Sequence, residues 1–276
     1  MADTRPSPQV LSSDNGGYVK QALNPKYDVC NHSGSDGADS TDWGHGIACF
    51  NGEAGANNYP LRGGKYSQFE GGIRVNAFVS GGYLPAAVRG TKSEGMIHIA
   101  DWYGTLNKLA GVVDPFTDKW AAASGLPPVD SVDVWPLVMG AVKAEDSPRD
   151  TILVNKNLLV HKQWKFCTGS MQGNALAGPR YPNASSYPKD FVDSFNLNCG
   201  EGGCLFDVVK DVLETTNVAA ANPKVVAMMS AMMKNISTTI FPRNSKQDPE
   251  CKKFAKSHWG GFLGPWLEVP KSNPTT

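Results

Sequence analysis

The chain of 276 residues lacks any excess of charge: 26 Lys and Arg balance 26 Asp and Glu, and charged residues make up only 19% of it. A nucleic-acid surface needs surplus cations against phosphate, and no basic stripe with interleaved aromatics is present, so that class is excluded. No stretch approaches the roughly 20 apolar residues that a membrane helix requires. The opening Met1-Ala2-Asp3-Thr4-Arg5-Pro6-Ser7-Pro8 is polar and proline-bearing, unlike a secretory leader. What remains is a chain long enough to bury a core, in one or two domains.

What the sequence does have is concentrated between Asn57 and Arg74. Asn57-Asn58-Tyr59-Pro60-Leu61-Arg62-Gly63-Gly64-Lys65-Tyr66-Ser67-Gln68-Phe69-Glu70-Gly71-Gly72-Ile73-Arg74 packs a proline, four glycines, three cations and an acid into one run. Val75-Asn76-Ala77-Phe78-Val79 follows and alternates, which predicts a strand entered through a glycine-rich turn. Glycine lets backbone N–H groups approach a ligand closely, and Lys65 among them can set a compact ammonium on an anion. Upstream, Val10-Leu11 runs into Ser12-Ser13-Asp14-Asn15-Gly16-Gly17. This reads as a strand ending in a carboxylate and an amide oxygen, donors that a hard cation such as calcium favours. The plainer reading of Ser-Asp-Asn-Gly is a turn.

Taken together and in order, these segments resemble the sulfatases, and within them the arylsulfatase B type. The resemblance rests on Ser13 to Gly17, Asn58 to Lys65 and Phe69 to Val75. It continues through Ile97-His98-Ile99-Ala100-Asp101-Trp102, Thr105-Leu106 and Val132-Asp133-Val134-Trp135. Gln163-Trp164-Lys165, Leu205-Phe206-Asp207-Val208 and Gly260-Gly261-Phe262-Leu263-Gly264-Pro265-Trp266 complete it. The implied fold is α/β: a truncated, alkaline-phosphatase-like sheet domain over residues 1–140, with an insertion at 18–56. A smaller C-terminal subdomain, an antiparallel sheet with a helix, takes residues 141–276.

The resemblance implies hydrolysis of sulfate esters, with a sulfated small molecule or sulfated glycan as partner. It gives Asp14 and Asn15 as two calcium ligands and Lys65 as the contact to the ester sulfate. Calcium and an ammonium would neutralise sulfate oxygens and hold the ester for attack on sulfur. The nucleophile of that family comes from a Cys/Ser-x-Pro-x-Arg motif, and no cysteine or serine here begins one. No two aspartates are adjacent, so the Asp-Asp pair that completes the calcium site is absent too. Lys256-Ser257-His258 spells the family's Lys-x-His but lies in the tail, beside the Gly-Gly-Phe match. The expectation is a chain that does not turn over alone; the alternative is a non-catalytic secreted glycoprotein with a vestigial calcium or anion site.

Six cysteines suit an oxidising compartment but leave fifteen full pairings open. Asn31, Asn183 and Asn235 each begin an Asn-x-Ser acceptor. With the resemblance, these point to the secretory pathway, as a secreted or lysosomal protein, and the missing leader fits a chain without its front half. The resemblance also implies a partner for Cys251 in that front half.

Residues 18–56 read as a surface loop with Cys30 and Cys49 at its flanks. Asp36, Asp39 and Asp42 with His32 and His45 lack the alternating acids of an EF-hand loop. A helix is expected from Asp101, near its N-cap, with Trp102, Thr105, Leu106 and Leu109 on one face and Gly111 as its stop. His98 reads as a hydrogen-bonded core residue or a ligand. Residues 114–128 read as connector, 130–135 as a short strand into a loop and 141–150 as linker. Short antiparallel strands are expected at Thr151 to Val154, Leu158 to His161, Trp164 to Cys167 and Leu205 to Val208, with loop over 171–203. A helix opens at Asn222-Pro223 and runs to Ile240. Its apolar stripe is Val225, Met228, Met229, Met232, Met233 and Ile236, with an irregular tail from Asp248.

Overall fold

The computed structural model describes residues 7–17, 56–65, 67–174, 194–240 and 249–262. It forms two compact units, Met1–Ile240 and Phe241–Thr276. The division expected at 140/141 falls within the first of them.

That first unit begins with a two-stranded antiparallel ribbon. β1 (Gln9–Ser12) pairs with β2 (Ala77–Ser80), Leu11 facing Phe78 and Val10 facing Val79. The strand expected from Val75 therefore begins two residues later, at Ala77. It is entered not directly from the glycine turn but through a single helical turn, α1 (Glu70–Ile73).

Beyond β2, residues 86–88 make a 3-10 turn, and α2 (Asp101–Leu109) follows. Gly111, at φ 79°, stands just past its end as the sequence predicts. Asp101 is its first residue, next to the N-cap Ala100, as expected. The Asp101 carboxylate is buried, accepting from the backbone N–H of His98 (2.7 Å) and of Val132 (3.1 Å) and from the Arg149 guanidinium (2.5 Å to Oδ1). Arg149 belongs to the stretch read as linker, and this buried pair fastens it down. The buried face of α2 is Asp101, Gly104 and Thr105, whereas Leu106 is exposed. The reason lies in the neighbour: the Ser131 hydroxyl accepts from Gly104 N–H (2.9 Å), and Thr105 Oγ1 accepts from Val134 N–H (3.1 Å). Polar partners, not an apolar stripe, dock this helix. The connector holds a short helix, α3 (Lys119–Ala123), capped by the Asp118 carboxylate on Ala121 N–H (2.9 Å). Where a strand was expected before Trp135, chain without regular secondary structure leads into α4 (Trp135–Val138).

A four-stranded antiparallel meander follows: β3 (Thr151–Asn155), β4 (Leu158–His161), β5 (Trp164–Asn174) and β6 (Ser194–Asp207). β3 and β4 lie where the sequence puts them. β5 and β6 are longer than predicted, running into 171–203. There Gly169 pairs with Gly200 across a register shift, and a Cys199–Cys204 disulfide ties β6 to itself.

The register sorts side chains to two faces. Leu159, Phe166 and Leu205 line one face, beneath α5 (Pro223–Ser237). Met229 and Met233 are buried against them, with Val225, Val226, Met232 and Ile236 partly so. The predicted stripe is thus right but for Met228, which is exposed while Val226 turns inward. Leu158, Cys167, Cys204 and Phe206 line the other face, and Phe69 packs there at 0% exposure. Through Phe69 the glycine-rich run is seated on the sheet. In the second unit, Pro249–His258 is helical (α6), not irregular tail.

Candidate anion site

Two corners of the chain meet beside the β1–β2 ribbon. Gly16 N–H donates to Gly72 O (3.0 Å), and Lys65 N–H donates to Gly17 O (3.0 Å). The Asn58 side chain accepts from Gly17 N–H (3.0 Å) through Oδ1 and donates through Nδ2 to Gly17 O (2.9 Å) and Gly63 O (3.0 Å). A Cβ on Gly16 would fall 1.6 Å from Gly71 O, so only glycine permits this approach. The glycines therefore serve a backbone-to-backbone contact: Gly71 N–H is used on Arg62 O (2.7 Å) and Gly72 N–H on Phe69 O (2.8 Å).

On this frame the expected residues take their places. Asp14 is exposed just past β1, with Oδ1 accepting from Asn15 N–H (2.9 Å). Asn15 and Lys65 are half-buried. The backbone fixes the Asp14–Gly17 corner against the Arg62–Lys65 corner. Among the described residues no three His, Cys, Asp or Glu side chains gather as a metal group. Asp36, Asp39, Asp42, His32 and His45 lie outside the described residues, as do Cys30, Cys49, Asn31 and Asn183. His98 is half-buried, and its Nδ1 accepts from Ala100 N–H (3.3 Å), which is a local turn contact. Asn235 is exposed on the last turn of α5. Cys251 and Cys167 are free thiols.

Behind the corner lies a buried ionic cluster that sequence reading missed. Lys165, fully buried, sits 3.0 Å from Glu70 Oε1 and 2.8 Å from Glu214 Oε1. Glu70 N–H donates to Glu214 Oε2 (2.6 Å), and Arg62 donates to the Glu214 carbonyl while stacking over Phe69 at 4.1 Å. Burial alone would pull the Lys165 ammonium down, but Glu214 and Glu70 beside it hold it above its usual value. Burial pushes the Glu214 carboxyl up, more than Lys165 draws it down. Cys167, on the same face as Lys165, is pushed up to about 11 by burial, so it is an inert thiol rather than a nucleophile. One signal was available: Lys165 has the strand parity of Cys167, so a charge on an inward face required an acid. Which acid could not be read, because the partners lie far away in sequence.

By sequence, and over the part the two share, this chain is similar to the sulfatases, of the arylsulfatase kind. Arylsulfatase J of Mus musculus is 26% identical to it over 241 residues, covering 78% of this chain and 37% of that protein. No protein-family model matches the chain. Among solved structures it is similar to a protein of the glycosaminoglycan-metabolising locus of Bacteroides thetaiotaomicron, at TM-score 0.48 and 21% identity. That likeness covers 84% of this chain and 39% of the other. It is also similar to the PsFucS1 sulfatase of Pseudoalteromonas sp., at TM-score 0.49 and 17% identity, over 86% of this chain and 38% of that one. The chain thus spans less than two fifths of the length of the curated relative.

Proposed function

We propose that this chain carries the sulfate-gripping part of an arylsulfatase-type sulfuric ester hydrolase, built from a 1–140 portion and a 141–276 portion. Lys65 contacts the ester sulfate, and Asp14 and Asn15 offer oxygens towards a cation. The observation that supports this most is the docking of the Asp14–Gly17 corner on the Asn58–Gly72 run, which lies some forty residues further along. The substrate class is a sulfated aryl compound or sulfated glycan, met in the secretory pathway as a secreted or lysosomal protein.

The donor set does not fit calcium as it stands. One exposed carboxylate, with an oxygen turned to its own backbone, and one amide fall well short of the roughly 6–8 oxygens calcium takes. The sequence also lacks the Cys/Ser-x-Pro-x-Arg nucleophile motif. The chain by itself therefore binds sulfate and does not hydrolyse its esters. That missing motif equally favours the second reading, a non-catalytic glycoprotein with a vestigial site.

The test is calorimetric titration of the chain with inorganic sulfate, beside Lys65→Ala. Binding lost in the variant supports the reading; equal binding, or none in either, overturns it.

A further inference from the structure

Glu214 occupies the turn between β6 and α5, far in sequence from the anion loop, and nothing in its neighbourhood marks it as functional. Three features set it apart. It is 0% exposed, which for a carboxylate demands partners on every side. Its backbone is left-handed, at φ 50°, a conformation that non-glycine residues hold only where the surroundings over-determine it. All of its acceptors, moreover, are directed at the same short stretch or at the lysine beneath it.

The carbonyl accepts from Arg62 and Oε2 accepts from Glu70 N–H at 2.6 Å. Those are the two ends of the loop that carries Lys65, which Gly71 N–H on Arg62 O (2.7 Å) closes at its neck. Oε1 meets Lys165 at 2.8 Å, and Lys165 in turn meets Glu70. The turn that presents Glu214 is itself built by Asp211. The Asp211 carbonyl accepts from Glu214 N–H (2.9 Å), and its carboxylate from Thr216 N–H (2.7 Å).

We propose that Glu214 is a positioning residue for the anion loop: it grips both ends of residues 62–70 and so fixes where Lys65 stands. The inference rests on the reading of Lys65 as the sulfate contact. Lys165 pairs with both buried carboxylates, and the loop keeps its shape because breaking that pairing strands a charge in the core.

The experiment uses the full chain with Glu214→Gly, Glu214→Gln and, as a control for general loss of stability, Asp101→Asn. Glycine accepts the left-handed backbone, so Glu214→Gly removes the carboxylate without adding strain. Hydrogen exchange of individual amides is read alongside sulfate affinity. In Glu214→Gly the amides of Lys65, Ser67 and Gly71 should exchange at least about tenfold faster, the size expected for losing charge-assisted hydrogen bonds, with α5 amides unchanged. Sulfate affinity should fall in parallel, Glu214→Gln should recover part of both, and Asp101→Asn should move neither. Loop amides that stay as protected as in the wild type, or that loosen only together with α5, overturn the proposal. Wild-type chain that fails to bind sulfate overturns the sulfate reading of Lys65 instead, while the exchange pattern still decides whether Glu214 holds the loop.

Discussion

At the scale of single residues, charge and atomic radius decide most of what can be tested. Lys165 is ion-paired to both Glu70 and Glu214. Lys165→Met keeps most of the volume but leaves two carboxylates facing each other in the core. A loss of about 3–5 kcal/mol is expected by urea unfolding at pH 7. The pH dependence has a definite sign. Glu214 is already raised above 4.5, and removing Lys165 raises it further. A carboxyl raised in the folded state favours folding below its unfolded value and disfavours it as pH climbs through the folded one. The deficit of Lys165→Met should therefore be smallest near pH 4.5 and grow towards neutrality; a deficit flat with pH would contradict the cluster. Gly16→Ala is a second test. Its Cβ cannot coexist with Gly71 O, so the two corners must part, and sulfate affinity should drop along with melting temperature.

At the scale of elements, the four-stranded sheet is held from both sides, by α5 on one face and by Phe69 with its loop on the other. Met229→Ala should cost about 2–5 kcal/mol, whereas Met228→Ala, one residue earlier and exposed, should stay within about 0.5 kcal/mol. Cys167 lies on the Phe69 face of β5. Its thiol is raised from 9.0 to about 11, so the folded chain keeps a proton that the unfolded chain releases. Stability should fall from about pH 9 to 11, and Cys167→Ala should flatten part of that fall in urea midpoints taken across the range. Lys165, also raised, contributes in the same direction at higher pH.

At the scale of the whole molecule, exposed apolar side chains stand out: Leu11 and Phe78 face each other on the open ribbon, and Ile99, Val113 and Trp120 are more than half exposed. Such surfaces and unpaired strand edges favour association. The chain should self-associate at micromolar concentration in light scattering, and a monomer with a sharp, reversible melt would contradict this. Aryl-sulfate turnover by the isolated chain should be undetectable, and measurable turnover would refute the argument from the missing motif.

Hydrophobic alternation, turn residues and the Pro223 helix start were enough to place β3, β4, the first half of β5 and α5, because those signals are local in the chain. The ordered glycine, Asp-Asn and Lys segments likewise carried the kinship with sulfatases. The second half of β5, most of β6, α6 and the polar docking of α2 were not legible. Their residues are Gly-, Asn- and charge-rich, and the β5 and β6 stretches become strand only by pairing with each other. Least legible was the grip of Glu214 on the anion loop. A buried charge announces that it needs a counter-charge, but which one, across about 50 to 150 residues of chain, is chosen only when the fold brings them within hydrogen-bonding distance.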